Sequence, residues 1–274
     1  MKNYSALTLA ATAGGVAAFL LRLGQRITGF SPDTGLAIPG GVFAPALYLL
    51  LASMTAVFFL MARRPPSHHP DPRPFVDVFS IQGTLPPLAS GCLLLILSGG
   101  LEVFSVLTGE STTGAAHFSA LLSGALTALC GVSLLPAIRS AAAGRHGAAR
   151  KAAPAALLLV PPVVLVFRTT LTYRALSAVP PLSAYAPDIV ALSLAALAFF
   201  HLSAFAHGDG STRAFSFLSA AAAVFCAAAL ADARCAADGC FYAGCVLLFL
   251  GFLGALWALP AKLRHSVAQE EALL

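Results

Sequence analysis

Eight stretches of this sequence are apolar for about 20 residues each, the length an α-helix needs to cross a hydrocarbon core about 30 Å thick. They run approximately over 4–23, 41–62, 87–107, 115–138, 153–173, 188–207, 213–232 and 242–262. Lipid offers no water to backbone amides, so each stretch must close its hydrogen bonds internally, as a helix does. The composition agrees. Of 274 residues 58% are hydrophobic and only 10% charged, against about 25% charged in a soluble domain. That excludes an ordinary soluble protein, a disordered chain and a nucleic-acid binder. The predicted fold is all-α: one polytopic membrane domain over residues 1–274, with eight transmembrane helices in a lipid bilayer. The first stretch reads as a retained span rather than a signal peptide, because Arg22 follows it with no small-residue cleavage site between.

The sixteen Lys and Arg set the expected orientation. With the N-terminus inside, Lys2, Arg63, Arg64, Arg73, Arg139, Arg145, Arg150, Lys151, Arg213, Lys262 and Arg264 fall on the inner side, and Arg22, Arg26, Arg174 and Arg234 on the outer. Arg168 stays within a span. A bias of eleven to four over short loops predicts cytoplasmic N- and C-termini, by the rule that basic loops remain inside. The net charge of +5 follows from the same bias and needs no acidic partner. Residues 63–74, with five prolines, predict an extended cytoplasmic connector. Phe75 and Phe79 follow it four apart, as interfacial anchors would. The basic loop 139–152 would lie against anionic headgroups.

The first four spans and the last four share an order of features. Arg22 ends span one and Arg168 lies near the end of span five. Pro32-Asp33 and Pro187-Asp188 follow. Glu102 and Asp232 sit near the outer ends of spans three and seven. Leu-Leu-Pro-Ala at 134–137 and Ala-Leu-Pro-Ala at 258–261 close spans four and eight. These features suggest a 4+4 parallel repeat with halves 1–139 and 153–264, related by an axis along the membrane normal. A shared grammar of basic loops and helix-ending prolines would produce the same order.

Ionisable groups inside spans cost about 2.5–3.5 kcal/mol at a central position, which makes them informative. At 1.5 Å rise per residue, Glu102 and Arg168 lie about 22 Å from the inner ends of their spans. Their matched depth and opposite sign predict a pair. Arg22 and Asp232 lie closer to the outer interface and are expected to snorkel into headgroups. Arg26 shares the helix face of Arg22. Asp188 follows Ala-Pro before an apolar run and reads as a helix N-cap. Together Arg22, Arg26, Glu102, Arg168, Asp188 and Asp232 are the candidate lining of an outward-facing polar cavity.

Other features carry less chemistry. His201 is expected to be hydrogen-bonded within the bundle. Cys235 and Cys240, five apart in an outer loop, could close a small disulfide ring. The remaining cysteines lie in apolar runs and act as small hydrophobes. No Cys/His cluster with metal spacing, Walker A loop or Gly-x-Ser-x-Gly occurs, so neither a metal nor a cofactor is expected, and neither is an enzyme. Ser119, Ser123 and Thr127 form a small stripe on span four, and span seven is largely alanine. Small faces let helices approach closely, so spans four and seven are expected at the centre and spans two and eight at the lipid. Pro161-Pro162 should break span five.

The strings FLLRLGQRITGFSPDTGL at 19–36, and those from RTTLTYRALSAVPPLSAY to AFFHLSAFAH within 168–207, resemble a family of hypothetical multi-span proteins of Clostridia-type Firmicutes. The resemblance implies a bacterial cytoplasmic membrane and no particular chemistry. Two function classes remain. One is a non-transporting sensor, assembly or regulatory subunit. The other is a permease or channel-like protein for a small solute or ion, entered through the outer cavity.

Overall fold

The computed structural model describes residues 2–29, 41–63, 75–79, 84–109, 115–143, 155–176 and 186–271. Most of the Pro-rich connector, the loop from 144 to 152 and Pro32-Asp33 lie outside the described residues. The elements, in chain order, are α1 (Lys2–Thr28), α2 (Phe43–Arg63), α3 (Phe75–Val78), α4 (Leu85–Leu107), α5 (Ala115–Ala143), α6 (Ala155–Leu158), α7 (Val160–Leu176), α8 (Ala186–His207), α9 (Thr212–Leu230) and α10 (Ala236–Glu271). Among the described residues there is no strand, and eight helical segments are long and apolar enough to cross a membrane. The chain is an all-α integral membrane protein.

Local chemistry explains several boundaries. Span five is split into α6 and α7 at Leu159, two residues before Pro161-Pro162. Prolines lack the amide that would bond four residues back, which leaves the Leu157 and Leu158 carbonyls without that partner; just before them the Leu159 N–H makes a tightened bond to the Ala156 carbonyl at 3.3 Å. Ser211 caps α9, accepting from the Ala214 amide at 3.4 Å. Gly208, at φ 90°, makes the sharp turn between α8 and α9 that a side chain would resist. By contrast Pro136 does not end its helix: α5 runs through it to Ala143, and α10 likewise continues past Pro260.

Six spans close into a ring: α4 packs on α5, α5 on α7, α7 on α8, α8 on α9, α9 on α10, and α10 back on α4. Helices α1 and α2 pack outside this ring, chiefly against α9. The alanines of α9 serve both sides. Ala222, Ala223 and Ala229 belong to the ring core, and Ala220, Ala221 and Ala228 to the core shared with α1 and α2. Span two is the least buried, at 17%, as expected. Span eight is not lipid-facing: 61% of it is buried, close to the 67% of span seven. Its glycines explain the difference. A Cβ at Gly244 of α10 would stand 3.0 Å from the Gly91 carbonyl of α4, so these helices meet backbone to backbone. The α4–α5 contact is closer still, since a Cβ at Gly99 would clash with the Gly124 carbonyl and the Ala128 amide.

The two halves match in part. The pairings of spans one with two, three with four and four with five recur as five with six, seven with eight and eight with one. Span seven also packs on spans one, two and six, and span eight packs on span three, without comparable counterparts among the described residues. The packing is not that of two equivalent halves.

At the end of the bundle holding the α8–α9 turn, Phe75 and Phe79 are buried rather than interfacial. The Phe79 ring stands 5.3 Å from Phe205, 5.6 Å from Phe215 and 5.6 Å from Phe252, each edge-on. The short helix α3 thus inserts an aromatic plug, because aromatic edges pack well against neighbouring faces. His201 has no hydrogen bond among the described residues and stands edge-on to Phe200 at 5.9 Å.

Candidate functional site

The opposite end of the bundle gathers the charged groups. A cavity of about 600 Å³ opens there between α4, α5, α7, α8, α10 and the α9–α10 turn. Glu102, Arg168, Asp188 and Asp232, four of the six residues singled out from the sequence, line it. So do Arg174, Arg234, Asp238 and Tyr242, with Ser119 and Ser123 on α5. Arg22 and Arg26 stand behind Asp232 rather than in the lining.

Arg168 is the central clamp. Its Nη1 donates to Glu102 Oε2 at 3.0 Å and to Thr127 Oγ1 at 3.0 Å, and its Nη2 to Asp238 Oδ1 at 3.1 Å. Its guanidinium lies 4.2 Å from the centroid of the Phe241 ring, a cation–π contact. One side chain on α7 therefore ties together α4, α5 and α10. Ser98 of α4 holds the start of α10 in place by donating to the Ala237 carbonyl at 2.7 Å. That bond fixes Asp238 over Arg168. Asp238 escapes a reading that starts span eight at 242. The helix begins at Ala236, so Asp238 sits on its first turn.

Arg22 does not snorkel. It is 1% exposed, and its Nε donates to Asp232 Oδ2 at 2.6 Å while its Nη1 donates to Gln25 Oε1 at 2.8 Å. A buried guanidinium needs such partners, since lipid and protein replace the water it would otherwise hold. Arg26, more exposed, donates to the Ala231 carbonyl at 2.6 Å and stands 3.9 Å from Asp232 Oδ1. These bonds tie the end of α1 to the α9–α10 turn. Burial pushes the Asp232 carboxyl above the ordinary carboxylate range, and the Arg22 guanidinium offsets this only in part.

Asp188 differs from the other acids. It lies inside the first turn of α8, which begins at Ala186, rather than at the cap. A carboxylate there is favoured by the positive end of the helix. It is 7% exposed, and its Oδ1 is buried without a hydrogen-bond partner among the described residues.

Cys235 and Cys240 are free thiols, so the anticipated ring is not formed. The Gly239 amide bonds the Cys235 carbonyl at 3.1 Å, so Cys235 stands immediately before α10 with its carbonyl already in the helical ladder, and Cys240 lies in the helix. Five residues of helix rise about 7.5 Å, beyond the reach of a disulfide, whose Cα atoms lie within about 6.8 Å. Among the described residues no group of three or more His, Cys, Asp or Glu side chains is placed to hold a metal ion.

Compared with known proteins, no family model, curated sequence or solved structure matches this chain. The fold and site define its class: a polytopic helical membrane protein with a charged cavity set into one end of the bundle.

Proposed function

We propose that this protein is of the permease type, admitting a small polar solute to the charged cavity from the outer face of a bacterial cytoplasmic membrane. The cavity is the observation that carries the reading. Charged groups in or beside spans are costly, yet four helices and the α9–α10 turn direct seven of them onto a single space of about 600 Å³. A bundle held together only by ion pairs would have no need of such a space. The role is binding rather than catalysis. The bias of basic residues supports an outward cavity, with both termini and the 63–74 and 139–152 loops cytoplasmic.

A second reading, a non-transporting sensor, assembly or regulatory subunit, draws on the other end. There Phe79 packs among Phe205, Phe215 and Phe252. A receptor needs a pocket and no exit.

The test uses Ala120→Cys, on the cavity wall, in a chain with Cys235→Ser and Cys240→Ser. A membrane-impermeant methanethiosulfonate applied outside intact cells is expected to label Cys at position 120. Labelling only after the membrane is opened would defeat the outward cavity.

A further inference from the structure

We propose that the cavity recognises a primary ammonium group and that Asp188 Oδ1 is its acceptor, so that the solute is a small organic amine. This deepens the solute-cavity reading and rests on it.

The argument is an inventory of donors and acceptors. A guanidinium has five N–H donors and no acceptor, and a carboxylate only accepts. Arg168 spends both terminal nitrogens on Glu102, Thr127 and Asp238, and its face on Phe241. Arg22, behind the lining, is spent on Asp232 and Gln25; Arg174 and Arg234 also line the cavity, and neither hydrogen-bonds Asp188 Oδ1. Four carboxylates face the cavity, and one of their oxygens, Asp188 Oδ1, is buried without a partner. An unpaired buried acceptor is costly. A group that enters the cavity and donates to it removes that cost, and a positively charged donor does so with the strongest bond to a carboxylate, where an anion would be repelled.

Size and shape narrow the donor further. A bare metal ion finds no group of three ligating side chains among the described residues, and a space of about 600 Å³ far exceeds one ion. Ala120, Leu171 and Ala175 give the cavity an apolar wall beside its charges. Such a wall suits the carbon skeleton of an amine. The N–H donors distinguish a primary ammonium from a quaternary one, whose charged nitrogen has no hydrogen to donate.

The experiment uses the full chain in detergent micelles and four probes: ethanolamine, putrescine, choline and glycolate. Ethanolamine and putrescine are expected to raise the unfolding temperature saturably. Choline should act at least tenfold more weakly, and glycolate not at all. Asp188→Asn should weaken the ethanolamine response tenfold or more. A second measurement needs no variant. Modification of Asp188 by dicyclohexylcarbodiimide, read by mass spectrometry, should be slowed by ethanolamine and not by glycolate. The proposal is overturned if neither amine stabilises the protein, if Asp188→Asn responds as the parent does, or if ethanolamine leaves the modification rate unchanged. A saturable response to glycolate alone would overturn the amine and keep the solute cavity. Failure of external labelling at position 120 would remove the cavity reading itself.

Discussion

Arg22 of span one and Asp232 at the end of span seven are bonded at 2.6 Å. Arg168 of span five and Glu102 of span three make the corresponding pair at 3.0 Å. One pair joins spans one and seven and the other spans five and three, although Glu102 lies within α4 while Asp232 lies in the turn beyond α9. Both pairs lie at the cavity end. The first is a latch that docks α1 on the six-helix ring, and the second is a clamp inside it.

The latch predicts strong coupling. Breaking a buried pair leaves one charge stranded, at a cost of about 3–5 kcal/mol. Arg22→Gln and Asp232→Asn should each lower stability by about that much, because Arg22 is almost fully buried. Combining them should cost less than the sum. Thermal unfolding in detergent measures the cycle. Strict additivity would show that the pair does not operate in the folded protein.

The clamp predicts the opposite pattern. Arg168 has two carboxylate partners, so either Glu102→Gln or Asp238→Asn leaves it one. Both acids are partly solvated, at 21% and 30% exposed, and each single change should cost only about 1 kcal/mol. The double change strands Arg168 and should cost more than the sum. A sub-additive result would mean that one of the two acids does not hold the arginine.

These contacts show where the sequence is legible and where it is not. Eight spans can be counted because a bilayer imposes one length and one composition on every helix. Glu102 and Arg168 can be matched because depth along a helix is a simple rise per residue. The Arg22–Asp232 pair is hidden because depth alone cannot separate a snorkelling arginine from a docked one. That depends on which helix stands alongside, and adjacency in a bundle of eight is not written in any single span. Span eight misleads for a related reason. Its leucines and phenylalanines suggest a lipid face, yet Gly244 and Gly251 set its packing against Gly91 and Leu88. A few small residues decide approach, while the many large ones decide average hydropathy.

Helix approach gives a third prediction. A Cβ at Gly99 would collide with the backbone of α5 at Gly124 and Ala128, which cannot yield as a side-chain tip could. Gly99→Ala should therefore destabilise by about 1–3 kcal/mol, the usual cost of overpacking. The neighbouring Gly100 meets nothing within 4 Å. There alanine should be neutral or stabilising by up to about 1 kcal/mol, through lower backbone entropy in the unfolded chain. Equal effects at the two glycines, measured by thermal unfolding, would contradict the close α4–α5 packing.

Orientation is tested separately. Single cysteines at positions 68 and 146, in a chain lacking its native cysteines, should react only from the cytoplasm. Those at 33 and 183 should react only from outside. The expectation rests on eight spans and on the bias of basic residues toward one set of loops. If positions 33 and 146 label from the same side, the topology is wrong, and so is the outward direction of the cavity.

Phe79 supplies the last prediction. Its ring is fully buried among Phe205, Phe215 and Phe252, at the far end of the bundle from the charges. An interfacial anchor could be replaced with little loss, since its ring would only exchange one wet boundary for another. A buried phenylalanine cut back to alanine leaves a cavity, at a cost of about 3–5 kcal/mol. Phe79→Ala should show that loss in thermal unfolding, and Phe79→Leu should recover most of it by refilling the space. These rings pack at the end opposite the cavity. In a permease, opening that end requires Phe79 to leave its three neighbours, so a cysteine at position 252 should react faster with a cytoplasmic thiol reagent in Phe79→Ala than in the parent. Little loss of stability, with no change in reactivity at 252, would show that Phe79 is not a plug.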